Sequence, residues 1–378
     1  MQLETLYYDD EKWNFEDNTI EDKSSVHLVL AFGDTDTFAS SQHYNYLHKL
    51  YPNADIVGSS SSGNVLGAQV SESSVVATAI CFESSYVKVN SVDFEEGDDL
   101  SLVSRELVKP FDEEHLQSIF VISDGLNMNG SILAKSVNTE RPKTLITGGL
   151  AGDDARFEKT LIMVNGVPKD RAIVALAFYG EKLHVSSGCA SGWSDFGAQR
   201  VITKSTANVV YEIDNKPALE LYKHYLGEAA ADLPGSGLRY PLSIKRDEGD
   251  SEVIRTVLAV DEETQSMTFA GDVPEGSLAK LMKSNIDQLI DGSESAAKSI
   301  ELSNNNTALG LVVSCIGRKL VMNQMSDEEL EIIEETIGSN VHLTGFYSYG
   351  ELAPYSDEML NCQLHNQTMT LTVIYEDK

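Results

Sequence analysis

Apolar positions along this chain fall in short runs of strand length, separated by stretches with helical periodicity and by polar turns. The runs recur in the same order three times. From His27 the chain reads HLVLAFGD, an amphipathic stretch FASSQHYNYLHKLY, DIVGSSSSG, and then SVVATAICFE and YVKVNSVDF. From Ser118 it reads SIFVISDG, NGSILAKSV, KTLITGGLAGDD, FEKTLIMVN and RAIVALAFYG. From Ala308 it reads ALGLVVSCIGR, DEELEIIEETIG, VHLTGFYSYGE, MLNCQLHNQ and TMTLTVIYE. Continuous apolar runs bounded by turn residues predict buried strands, and each unit therefore reads β-α-β-β-β, closed by a hairpin-like strand pair. Phe32, Ser123 and Ser314 end the first strand of each unit, and Gly58, Gly148 and Gly345 mark the strand after the helix. Small residues follow each glycine. Such residues let the backbone turn sharply and let another surface approach, so the three turns are expected at the same edge of their sheets, around a common cavity. The plainer reading of a single copy is turn punctuation.

Between about 199 and 283 the pattern changes to the short strands QRVITKS, NVVYEID, EVIRTVLAV and SMTFA, with one helix at PALELYKHYLG. Pro217 suits the first position of that helix, where its missing N–H costs nothing. A further helix is expected over roughly 284–302, before the third unit. The glycine-containing GCASGWSDFG near 188–197 is the one plausible boundary. The expected fold is therefore α/β (α+β), with mixed, largely antiparallel sheets in two tightly packed domains. An extension at 1–24 precedes domains at 25–190 and 191–378.

Composition narrows the function. Of 378 residues, 42% are hydrophobic, enough for a large core. Lys and Arg number 28 against 59 Asp and Glu, a formal charge of −31 that repels nucleic acid and anionic bilayers. No apolar run approaches the length of a membrane helix, and the acidic beginning MQLETLYYDDEKWNF is unlike a signal peptide, so a cytoplasmic location is expected. The four cysteines, Cys81, Cys189, Cys315 and Cys362, lie far apart without CxxC spacing and read as buried reduced thiols.

Longer strings carry a family resemblance. GWSDFGAQRVITKSTANVVYEIDNKPALELYKHYLG resembles the start of the FIST carboxy-terminal domain, and LVVSCIGRKLVM, LTGFYSYGELAP and LHNQTMTLTV resemble its end. VGSSSSGNV and ITGGLAGDD resemble the glycine-rich turns of the FIST amino-terminal domain. The resemblance runs from about residue 25 onward. It implies a ligand-sensing module that works with a histidine kinase, a chemoreceptor or a cyclic-di-GMP enzyme. SCIGR, GFYSYGEL and LHNQTMT look most like the family's nitric-oxide-sensing haemoproteins, which implies a b-type haem and a partner histidine kinase, diguanylate cyclase or phosphodiesterase.

Several residues are candidates to carry this chemistry. Arg318 in SCIGR, beside Cys315, suits a clamp on a carboxylate or a haem propionate, or else an ion pair with an acid such as Glu351. Tyr347 and Tyr349 share a strand face by alternation and suit a pocket wall with hydroxyl handles, or core. In LHNQTM, His365 is the first candidate for the haem iron, with Asn366 and Gln367 beside it; the trio also reads as a structural corner. His184 is the second candidate ligand and His342 the third. Gly148 and Gly149 belong to a glycine-rich turn, and Trp193 lies at the domain junction as an anchor or lid. The acids of SDG at 123–125 and AGDD at 151–154 are thin evidence for acid/base catalysis, and neither a GxSxG elbow nor a P-loop is present. The expected function is a haem-based nitric oxide sensor without enzymatic activity. The alternatives are a sensor of an amino acid or other small organic ligand gripped by Arg318 and the glycine turns, and a hydrolase-like enzyme using Cys315 or Ser60 as nucleophile.

Overall fold

The computed structural model describes residues 1–71, 75–246, 252–302, 306–354 and 360–377. Three six-stranded sheets share one plan. At the centre of each lies a parallel pair: Leu28–Gly33 with Asp55–Ser60, Leu116–Ser123 with Leu145–Leu150, and Ala308–Cys315 with Val341–Ser348. The first member of each pair takes an antiparallel neighbour on its far side, respectively Val75–Cys81, Ala172–Tyr179 and Met369–Glu376. Beyond these lie Gln2–Asp9, Tyr86–Asp93 and Leu183–Ala190. The registers correspond: Ala31 faces Gly58, Val121 faces Gly148, and Val312 faces Gly345. The stretch expected to be an extension is thus an integral strand of the first sheet, and 183–190 belongs to the third.

The closing hairpins expected from the sequence do not form. Instead, each unit sends the strand after its glycine turn into a neighbouring sheet. Asn64–Leu66 pairs with Val341–Ser348, Gly350–Ala353 with Leu145–Leu150, and Ile162–Val164 with Asp55–Ser60. The exchange runs from first to third to second and back to first, so it closes on itself. Each transferred strand supplies partners for backbone N–H and C=O groups that would otherwise line an open edge. Where the crossings meet, three backbone hydrogen bonds form a ring. Ser62 N–H donates to the Tyr347 carbonyl at 2.9 Å, Tyr349 N–H to Leu150 at 3.0 Å, and Gly152 N–H to Ser60 at 3.3 Å.

Strands buried on both faces explain the near-continuous apolar runs. Alternate residues of the three sheets, including Leu30, Phe32, Ile122, Val174, Leu311, Val313 and Phe346, meet in one central core. Phe32 and Phe346 stack there with centroids 4.8 Å apart. The opposite faces pack under helices Ser41–Leu50, Leu100–Val108 with Gly130–Glu140, and Ile286–Lys298 with Glu328–Ile337. Helices Leu100–Val108 and Ile316–Met322 were not anticipated from the sequence. Residues 194–246 and 252–283 form an inserted domain, a nine-stranded sheet with helix Ala218–Leu226 and its own core around Ile202, Tyr222, Met267 and Phe269.

The three landmark glycines are required by close approach. A Cβ at Gly58, Gly148 or Gly345 would lie 1.8, 1.9 or 1.8 Å from the carbonyl oxygen of Ala31, Val121 or Val312 respectively. Gly345→Ala is expected to destabilise the protein by at least about 3 kcal/mol in equilibrium urea unfolding, since the obstructing atoms are backbone. Gly67→Ala, where nothing lies within 4 Å but φ is +58°, should cost only about 1 kcal/mol.

Candidate functional site

Two buried acids shape the loops beside the ring. Asp124, in the SDG turn, accepts hydrogen bonds from the backbone N–H of Leu126, Asn127 and Arg171 and from the side chains of Asn127 and Thr160. Asp153, in AGDD, accepts from the N–H groups of Phe157, Glu158 and Lys159 and from the Tyr349 hydroxyl. Both carboxylates are spent on turns, the usual way a buried acid is satisfied. Asp153 sets Phe157 against Tyr349, rings 4.6 Å apart and 15° from parallel.

Beside these loops a cavity of about 310 Å³ opens between three walls. The second unit contributes Gly125–Gly130 and Leu150; the third contributes Cys315, Ile316, Tyr349 and Asn366; the inserted domain contributes Asn208, Leu238, Thr256, Leu258 and Phe269–Gly271. Among the described residues that line it, none is charged. Three of its four asparagines are already committed. The Asn127 amide donates to Asp124, the Asn129 side chain caps helix Gly130–Glu140 and donates to Asp272, and the Asn208 amide donates to the Phe269 carbonyl. Cys315 ends its strand at the wall; burial first, and then Glu351, pushes its thiol up, away from thiolate.

The other residues singled out in the sequence disperse. Arg318 is fully buried in helix Ile316–Met322 and is paired with Glu329 rather than Glu351. Its Nε donates to Glu329 at 3.0 Å, Nη1 to the Ser191 carbonyl, and Nη2 to the Leu289 carbonyl and Ser293 Oγ. Glu329 also receives Ser314 Oγ at 2.9 Å and the Tyr347 hydroxyl at 2.6 Å. The guanidinium therefore ties helices to the third sheet and does not reach the cavity. Tyr347 and Tyr349 part company because the strand crossing falls between them and breaks the alternation: one hydroxyl goes to Glu329, the other to Asp153. Gly149 lies in the core, where a Cβ would sit 2.5 Å from Val313 Cγ1, and Gly148 meets backbone. The Trp193 indole donates to the Gln367 carbonyl at 3.1 Å, tying the start of the inserted domain to the last turn. Ser60 Oγ accepts the Leu161 N–H and holds a crossing.

Glu351 and His365 face each other across paired strands Gly350–Ala353 and Gln363–His365. Burial raises the Glu351 carboxyl to about 7, against hydrogen bonds from Ser348 Oγ, Thr368 N–H and Thr368 Oγ1. Burial lowers His365 to about 4; its Nε2 lies 3.0 Å from the Ala353 carbonyl oxygen. His184 is on the outer strand Leu183–Ala190, paired with Asp377 at 2.7 Å and stacked on Tyr375. His342 lies 3.8 Å from Asp17. Among the described residues, no histidine lines the cavity, and no lysine or arginine stands there to meet propionates. Its Tyr349 hydroxyl is committed and its Cys315 thiol is held protonated. These residues do not fit a haem.

The FIST N domain matches residues 27–216 and the FIST C domain matches residues 218–354. The chain belongs to the FIST family. FIST domains are sensory domains that bind small ligands in signalling. An uncharacterized protein of Methanocaldococcus jannaschii is 27% identical over 260 residues, covering 61% of this FIST protein, which spans about half (48%) of that relative's length. A crystal structure of cyanuric acid hydrolase from A. caulinodans is 7% identical at a TM-score of 0.38, covering 94% of this chain and 91% of that one; a likeness of that degree supports no shared chemistry. Among the described residues, no helix is long and apolar enough to cross a membrane.

Sequence patterns reached part of the cavity wall, through Cys315 and Tyr349, but not Thr256 or the 125–130 loop, whose roles depend on an approach of distant segments. The polar run at 365–367 was the available signal for Asn366. Removing the Arg318 side chain by Arg318→Ala should cost about 3–5 kcal/mol in urea unfolding by leaving Glu329 buried and unpaired. A carboxyl raised from 4.5 to about 7 stabilises the folded chain fully below pH 4.5 and loses that contribution as pH rises to 7. Glu351→Gln should therefore gain stability relative to the parent between about pH 5 and about pH 8. His365→Gln should gain relative to the parent as pH falls from 6.5 toward 4, because a depressed imidazole favours folding only while neutral. Parallel pH–stability curves for parent and variants would contradict both.

Proposed function

We propose that this FIST protein is a receptor whose ligand, a small organic molecule, occupies the cavity between the three-unit body and the inserted domain. The observation that carries this reading is the composition of the walls: two parts with separate cores close one pocket between them. Among the described residues, these side-chain hydrogen bonds cross the seam. Gln367 Nε2 donates to the Leu238 carbonyl, Arg255 Nη1 to the Leu364 carbonyl, Asn129 Nδ2 to Asp272, and Asp272 N–H to Ser131 Oγ. A ligand touching both walls adds contacts across the seam and shifts how the inserted domain seats. A coupling of about 1–3 kcal/mol is enough for a signalling partner to read. The partner class is a histidine kinase or a cyclic-di-GMP-metabolising enzyme, which recognises the inserted domain's changed position.

A receptor suits this pocket better than a catalyst. Its thiol is held in the protonated form, and among the described lining residues no side chain is a base. A cavity of about 300 Å³ is at the small end for ligand sites, fitting a metabolite better than a large cofactor.

Hydrogen exchange combined with a thermal-shift screen of small metabolites tests the reading. A true ligand should raise the melting temperature and slow exchange in both 125–130 and 256–271, with the central strands unchanged. Ligands that stabilise the protein while leaving both walls unprotected would place the site elsewhere.

A further inference from the structure

Among the described residues that line the cavity, two carry buried side-chain polar atoms without any hydrogen-bond partner. Asn366 is 1% exposed and both its amide nitrogen and its amide oxygen are unpartnered. Thr256, on the inserted domain's wall, is 3% exposed with an unpartnered Oγ1. Elsewhere in the same cavity each asparagine side chain donates to a protein acceptor. Buried polar groups are as a rule satisfied, and leaving both ends of one amide empty weakens the ligand-free fold. A carboxamide keeps its donor beside its acceptor whichever way it is flipped, so what it lacks is a partner with the complementary pair.

We propose that the cavity takes an uncharged ligand bearing a donor next to an acceptor, the edge of a primary carboxamide, a lactam or an imide. Asn366 reads that edge through paired hydrogen bonds, and Thr256 reaches the same ligand from the inserted domain. This rests on the reading of the cavity as the ligand site. The uncharged lining argues against a carboxylate or an amine, which would be desolvated without a counter-charge. The apolar remainder, Leu150, Leu238, Ile316 and Phe269, suits the flat body of a small ring. Reading of a ligand N–H is sharply selective, since an analogue lacking it strands the buried acceptor.

Titration calorimetry of the full chain with succinimide, uracil and nicotinamide tests this, with N-methylsuccinimide, 1,3-dimethyluracil and nicotinate as the respective matched controls. At least one of the three is expected to bind, with its blocked or charged counterpart and the Asn366→Leu variant each weaker by about tenfold or more. Thr256→Val should weaken the same probe by several-fold. Ligand-free Asn366→Leu should melt higher than the parent, because it removes the stranded amide; a structural amide would give the opposite sign. Should Asn366→Leu fail to fold, Asn366→Asp, which keeps the shape but replaces the donor, decides: binding weakened by about tenfold or more supports the proposal, and unchanged binding overturns it. If the donor–acceptor probes fail while nicotinate or toluene protects both walls from exchange, the ligand class is wrong and the cavity stands. If no compound of any class protects the walls, the receptor reading falls with it.

Discussion

A closed ring of three backbone hydrogen bonds, Ser62 to Tyr347, Tyr349 to Leu150 and Gly152 to Ser60, links the three units of this protein. It marks the place where each unit hands a strand to the next sheet. Because the exchange is cyclic, no unit completes its own sheet, and withdrawing any one leaves two others with open edges. The central core obeys the same logic, since it is built from one face of each sheet. At equivalent register positions, Thr78 bonds Thr344 at 3.0 Å and Thr372 bonds Thr147 at 2.9 Å, while the apolar Leu176 and Val57, both in the central core, occupy the third place. Two of three copies therefore use a buried hydroxyl pair where hydrocarbon serves the third.

The ring also places the candidate site. The crossing after Tyr347 delivers Tyr349 to the Asp153 loop and sends Gly350–Ala353 into the second sheet. Gln363–His365 follows as its antiparallel partner, and the turn back to Met369–Glu376 leaves Asn366 where the second unit, the third unit and the inserted domain meet. The inserted domain departs after Leu183–Ala190, which pairs with the last strand. Its attachment and the turn carrying Asn366 are thus adjacent, with Trp193 bridging them.

Charge is distributed by depth. The chain carries a formal −31, yet the cavity lining is neutral. Acids that do enter the interior serve as hubs: Glu4 receives Tyr51 and Lys23, Glu376 receives three successive N–H groups at 83–85, and Glu329 gathers Arg318, Ser314 and Tyr347. Each buried carboxylate organises a turn or a helix junction, since its desolvation is offset only by several donors. The surface excess does none of this and keeps polyanions away.

By itself the sequence determined the threefold repetition, the mixed α/β class, the landmark glycines and most helices. These follow from local rules: apolar run length, 3.6-residue periodicity and a glycine wherever a backbone must come close. It did not determine which strands pair, because an apolar run next to its neighbour in sequence satisfies a closing hairpin and a crossing equally well; only the open edge of another sheet decides. For the same reason Tyr347 and Tyr349, alternate on paper, separate, and Arg318 reads as a clamp until Glu329 arrives from a later helix. Asn366 stood in view within a polar turn, but its want of a partner is a property of the surrounding volume. Tertiary structure alone decides that, since a side chain's hydrogen-bond account closes only when every segment that packs around it is in place.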